Sequence, residues 1–219
     1  MNSVREEKLP RWMWRTLIFL CALAALVAIR RMTALVSPPK QGPPQLLDLD
    51  RSFSEKAGLT LVHIVPGLLF VILIPFQFSR TFRNHHLNLH RWIGRTAVVL
   101  GIIIGISAFF MVRHPVGGII EASATIFFDC FFLVALVNAF LHIRRREVAL
   151  HREWMIRAMS IALGIATTRP VMGLFFATSR LTGLTPHQFF GFAFSIGFST
   201  TYLTGEAWIR HTRRSPPAA

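Results

Sequence analysis

The chain has 219 residues, of which 53% are hydrophobic and only 16% charged, with 24 Lys/Arg against 10 Asp/Glu for a formal charge of +14. A water-soluble globule needs more surface charge than this, and 20 Phe with long Leu/Ile/Val runs is the opposite of a disordered composition. A basic excess suits nucleic acid when it clusters on one soluble face, but here it falls in short turns between apolar runs, which is the pattern of membrane orientation and excludes nucleic acid as a partner.

Six apolar runs approach the roughly 20 residues that cross a hydrocarbon core: 12–36, 58–79, 91–112, 119–142, 155–178 and 187–209. The first is the weakest, because Arg15 and the pair Arg30-Arg31 confine its apolar core to 16–29. Basic residues follow that core with no clear small-residue cleavage site, so 1–36 is expected to be an uncleaved N-terminal anchor helix. Residues 37–57 open with Ser-Pro-Pro-Lys-Gln-Gly-Pro-Pro and are expected to form an extended, Pro-rich extracytoplasmic linker. A five-helix core over 58–210 and a basic cytoplasmic tail over 211–219 complete the order.

Sorting the basic residues by turn sets the orientation. One side receives Arg5, Lys8, Arg11 and Arg15, then Arg80, Arg83, Arg91 and Arg95, then Arg144, Arg145, Arg146, Arg152 and Arg157, and finally Arg210, Arg213 and Arg214. That is sixteen of 24, against seven on the other side and Arg169 inside a run. The expected fold is an all-α polytopic membrane helix bundle of six transmembrane helices, with both termini in the cytoplasm.

Ionisable groups at membrane depth are functional candidates by default. His63 lies about five residues into the second run, on a face continued by Gly67, Phe70, Ile74 and Gln77. Gly94, Ala97, Gly101, Gly105 and Ala108 keep to one side of the third run and predict close helix packing. The opening of that run, His90-Arg91-Trp92-Ile93-Gly94-Arg95, is echoed by His151-Arg152-Glu153-Trp154-Met155-Ile156-Arg157 ahead of the fifth. Both histidines should face the bundle interior at one depth. Asp129 and Arg169 have matching depths in the fourth and fifth runs and are expected to pair, with Pro170 kinking the helix beside them. The last run carries a stripe of His187, Gly191, Ser195, Ser199, Tyr202 and Glu206, and Glu206 is a candidate partner for Arg80, Arg157 or His90. Cys21 and Cys130 are the only cysteines, fall in different runs and read as small core residues.

Taken in order, His63, Gly67, Gln77, Arg80, His90-Arg91-x-x-Gly94, His151-Arg152-x-Trp154-Met155-x-Arg157, Arg169 and Glu206 give a pattern that resembles the bacterial multi-pass proteins catalogued as domain of unknown function 2306. The resemblance covers 58–209. It implies a membrane fold, a place in the bacterial cytoplasmic membrane and a set of shared positions, without an activity. Two departures stand out: Thr96-Ala97 occupies positions where the family pattern has an aromatic, and Asp129-Cys130 stands where it has Trp.

No nucleotide-binding glycine loop, Ser/His/Asp arrangement or HExxH is present. Two inward histidines beside Arg91 and Arg152, with His63 on a neighbouring helix, point to haem b ligated by His90 and His151 and to an electron carrier exchanging with quinone or another membrane redox protein. Two other readings stand beside it. One is a transporter or proton-coupled carrier that uses Arg169, Asp129, His63 and Glu206 in a polar cavity, with Gln77 and Tyr202 as further intramembrane polar positions. The other is a non-catalytic accessory subunit.

Overall fold

The computed structural model describes residues 9–42, 44–113 and 115–214. Arg5, Lys8 and the tail from 215 on, all named above, lie outside the described residues, as do His114 and the side chains of Arg180 and Arg214. The described chain forms eight helices: α1 (Arg11–Val36), α2 (Pro44–Ser54), α3 (Ala57–Phe78), α4 (Arg80–His85), α5 (Leu87–Met111), α6 (Gly118–Arg144), α7 (Val148–Thr182) and α8 (Pro186–Arg214). Five of them, α1, α3, α5, α6 and α7, are long and apolar enough to cross a membrane. Helix α8 has 29 residues and is diluted by Gly, Ser, Thr, His and Gln rather than shortened.

Helix α2 corrects the expectation of an extended linker. The spacer stops at 42, and from Pro44 the chain winds into 11 helical residues. Proline is compatible with a first helical turn, where its missing N–H has no intrahelical partner to lose. Beyond it, Leu49 and Asp50 turn inward while Asp48 and Arg51 stay exposed. The second short helix, α4, is started by Ser79, whose side chain accepts from the Phe82 N–H at 3.2 Å.

Helix α1 packs on α3 and α7, α3 on α5, α5 on α6, and α6 on both α7 and α8, with α7 and α8 also in contact. The α1, α3, α5, α6 and α7 helices therefore form a ring, and α8 buttresses its α6–α7 side. The expectation of a separate N-terminal anchor is revised accordingly, since Leu17 and Cys21 of α1 join the central core with Phe70, Ile74, Phe132, Leu136 and Met159. A second core, built from Leu49 of α2, Met172 of α7 and Phe189, Phe190 and Ala193 of α8, closes the opposite end.

Small residues set the closest approaches. Ala97, Gly101, Gly105 and Ala108 of α5 are buried as expected, and a Cβ on Gly101 would lie 2.6 Å from Leu136. The outer surface is the reverse: Leu69, Ile72, Ile106, Phe127, Phe192 and Leu203 are all exposed large apolar side chains. Such a surface belongs against lipid acyl chains rather than water. Cys21 and Cys130 are both free thiols, but only Cys21 is buried, so the core reading fails for Cys130.

Candidate functional site

The chain reverses direction at each connection, so the start of α1, the end of α3, the start of α5, the end of α6 and the start of α7 meet at one end of the ring. A cleft of about 1080 Å³ opens there. One wall carries Arg80 and Arg83 of α4 with Arg91 and Arg95 of α5. The other carries Arg144 of α6, Arg146 of the following turn and Arg152 of α7. No Asp or Glu is among the described residues lining it. Apolar side chains, including Phe78, Val98, Phe140, Ile143, Met155 and Ile156, line the rest.

Both His90 and His151 line this cleft. They approach from α5 and α7, which are separated in the ring by α6 on one side and by α1 and α3 on the other. The Nδ1–H of His151 donates to the Ala139 carbonyl oxygen at 2.8 Å. Because a carbonyl only accepts, this bond fixes the neutral tautomer and leaves the Nε2 lone pair for a ligand. His90 differs, since its Nδ1 is buried and has no hydrogen-bond partner among the described residues. Its backbone is held instead: Gln77 Nε2 donates to the His90 carbonyl oxygen at 3.1 Å, and Gly94, one turn on, gives Gln77 the room to reach it. Arg152 Nη1 donates to Thr212 Oγ1 at 3.2 Å, tying the α7 wall to α8.

His63 lies apart, about 21 Å along the α3 axis from Gln77 at 1.5 Å per residue. Its Nδ1 is 2.9 Å from Ser107 Oγ. That hydroxyl spends its own proton on the carbonyls of Ile103 and Ile104, so the histidine is the donor. His63 is therefore a link between α3 and α5 and not a third member of the cleft.

Glu206 finds one of its three expected partners. Arg157 Nε donates to its Oε1, and the Arg157 guanidinium stacks 4.7 Å from the Trp154 ring. Glu153 extends the network by accepting from Arg213 Nε at 2.6 Å. Tyr202 packs edge-on against Phe131 next to this network, with ring centroids 5.2 Å apart.

The expected Asp129–Arg169 ion pair does not form. Asp129 Oδ1 faces Gly105 of α5, its Oδ2 is buried without a hydrogen-bond partner among the described residues, and Arg169 turns to Met172, with Nη1 3.8 Å from the sulfur. Phe128, beside Asp129, stacks on Phe198, which meets Gly164 of α7, so Arg169 lies about 7.5 Å further along that helix. Arg169 lies toward the α2 end, where Arg30 Nη1 and Nη2 each donate at 2.7 Å to an Asp50 carboxylate oxygen. Arg31 adds a further bond to Asp50 and stacks 4.1 Å from the Phe53 ring.

Of the other cleft arginines, Arg83, Arg144 and Arg146 were legible only as orientation charges, while Arg80 was expected to pair with Glu206 and Arg95 closed the His90 motif; Trp14 of α1 was legible only as part of a separate anchor. No group of three or more His, Cys, Asp or Glu able to hold a metal ion occurs among the described residues. The cleft is lined by two imidazoles, seven guanidinium groups and apolar side chains, the residue types that haem ligation draws on.

No curated protein and no solved structure matches the chain. A family model described as a predicted membrane protein, domain of unknown function 2306, matches residues 60–196. This stretch runs from α3 into α8 and holds His63, Gln77, His90, Asp129, His151 and Arg169, so the chain belongs to that family.

Proposed function

We propose that the protein crosses the bacterial cytoplasmic membrane six times with both termini in the cytoplasm, binds haem b in the arginine-lined cleft and carries electrons within the membrane, to or from quinone or another membrane redox protein. The observation that carries this reading is the meeting of His90 and His151 in one cleft from two helices that flank it, with the His151 tautomer already set for ligation through Nε2. The His90 ring lines the same cleft, with its Nδ1 buried and without a hydrogen-bond partner among the described residues. Arg91 and Arg152 stand on opposite walls, where guanidinium groups suit the two haem carboxylates. Haem would supply reversible one-electron chemistry there.

The test is an absorbance spectrum of detergent-purified protein, expressed with ample haem, before and after dithionite. A Soret band and a reducible α-band are expected, and their lack sinks the reading. His90→Ala and His151→Ala should each abolish the bands while His63→Ala leaves them in place; bands that survive in both cleft variants would move the ligands elsewhere.

A further inference from the structure

The arginines of the cleft outnumber what two histidine-bound carboxylates need, and their arrangement is specific. Four stand on the α4–α5 wall and three on the α6–α7 wall, and no carboxylate is among the described residues lining the cleft. Arg80, Arg144 and Arg146 are exposed at the mouth, whereas the histidines lie further in and are part-buried. Phe78, Phe140 and Ile143 line the same cleft, and the exposed Phe76, Val99 and Leu141 continue an apolar surface along the neighbouring helices. Two cationic groups facing each other beside an apolar wall, at the ends of helices long enough to span a bilayer, match an amphiphile that carries two phosphates at headgroup level.

We infer that the mouth of the cleft is a binding site for a diphosphatidyl lipid of the cardiolipin class, with one phosphate on each arginine wall and acyl chains against the apolar surface. Basic pockets between transmembrane helices recognise such headgroups by charge and by guanidinium–phosphate bonding. The inference goes beyond the haem reading, because it uses the arginines at the mouth and does not need the histidines.

Native mass spectrometry of the delipidated full chain in detergent tests it, with cardiolipin, phosphatidylglycerol and inorganic pyrophosphate as probes. Cardiolipin should be retained in preference to phosphatidylglycerol and should not be displaced by pyrophosphate. The variant Arg80→Gln/Arg144→Gln/Arg146→Gln should bind cardiolipin about a hundredfold more weakly, at roughly fivefold for each arginine near an anionic headgroup. A control with the same charge loss, Arg15→Gln/Arg145→Gln/Arg210→Gln, removes arginines that do not line the cleft and should keep its affinity. His90→Ala/His151→Ala should also bind cardiolipin normally, whether or not the parent protein holds haem. Equal loss in the control triple would reduce the effect to general surface charge and overturn the site. Pyrophosphate binding as tightly as the lipid would make the ligand a soluble phosphate compound, and loss of lipid in the histidine variant would return the cleft to a histidine-centred ligand alone.

Discussion

Gly164 shows how little room the bundle leaves at single positions. A Cβ there would lie 2.4 Å from Phe198 Cδ1 and 2.9 Å from Phe198 Cα. The ring can rotate aside but the α8 backbone cannot, so Gly164→Ala must separate α7 from α8. The expected cost is about 1–3 kcal/mol, the usual range for overpacking. Gly173, about two and a half turns later on the same helix, has nothing within 4 Å of its Cβ position, so Gly173→Ala should be neutral or gain up to ~1 kcal/mol of helix propensity. Unfolding of both variants in detergent, by heat or by titration with a denaturing detergent, reads the difference; a Gly164→Ala protein as stable as the parent would contradict the close α7–α8 contact. At this scale the sequence revealed chemistry better than geometry. The pairing of Glu206 with Arg157 and the shared level of His90 and His151 follow from residue type and helical rise. The Asp129–Arg169 pair failed because a depth count taken from the ends of apolar runs misplaced Arg169 by about 7.5 Å along α7. Gly164 and Gly197 were overlooked because isolated glycines in a long apolar run show no period.

Helix α2 ties together helix ends, at one end of the bundle, that nothing in the amino-acid pattern connects. Its Asp50 is only 4% exposed and sits between Arg30 and Arg31, the latter 13% exposed. Its Phe53 carbonyl accepts from Thr60 Oγ1 of α3 at 3.0 Å, and its Leu49 enters the core of α7 and α8. Removing one partner of a buried ion pair leaves the other charge uncompensated and costs about 3–5 kcal/mol. Asp50→Ala is therefore expected to undock α2 and raise amide hydrogen exchange within it about a hundredfold or more. Adding Arg31→Ala should cost less than the sum of the single changes, because it removes the stranded cation. Unchanged exchange in α2 after Asp50→Ala would show that Leu49 and Phe53 hold the helix without the ion pair. The long helices were legible as elements, since an apolar run of membrane length has few other solutions. Helix α2 was not, because two Pro-Pro pairs masked a segment of 11 residues whose order comes from tertiary contacts rather than from its own propensity.

The packing of α8 bears on the topology of the whole molecule. Helix α8 runs antiparallel along α7: Gly205 meets Ser160, Gly197 meets Thr168, and at the far end His187 meets Gly118 of α6. This alignment with a helix long and apolar enough to span a membrane supports the sixth crossing proposed above, although the composition of α8 is less apolar than that of the five spanning candidates. Its polar groups are satisfied without water, since Ser195, Thr201 and Thr204 bond to carbonyls of their own preceding turn and Glu206 is paired with Arg157. Six crossings put both ends of the chain on the side of the arginine cleft, whereas five would put 211–214 on the opposite side. Cysteine labelling separates these outcomes. In a background with Cys21 and Cys130 replaced, single cysteines at Ser37, Asn84, Leu181 and His211 report on the two ends of the bundle. A membrane-impermeant maleimide applied to intact cells should label Ser37→Cys and Leu181→Cys at once, and should reach Asn84→Cys and His211→Cys only after lysis. Labelling of His211→Cys in intact cells, with Asn84→Cys still protected, would mean that α8 does not cross. Labelling of Asn84→Cys would reverse the bundle and place the arginine cleft outside the cytoplasm, against the charge asymmetry of sixteen basic residues to seven.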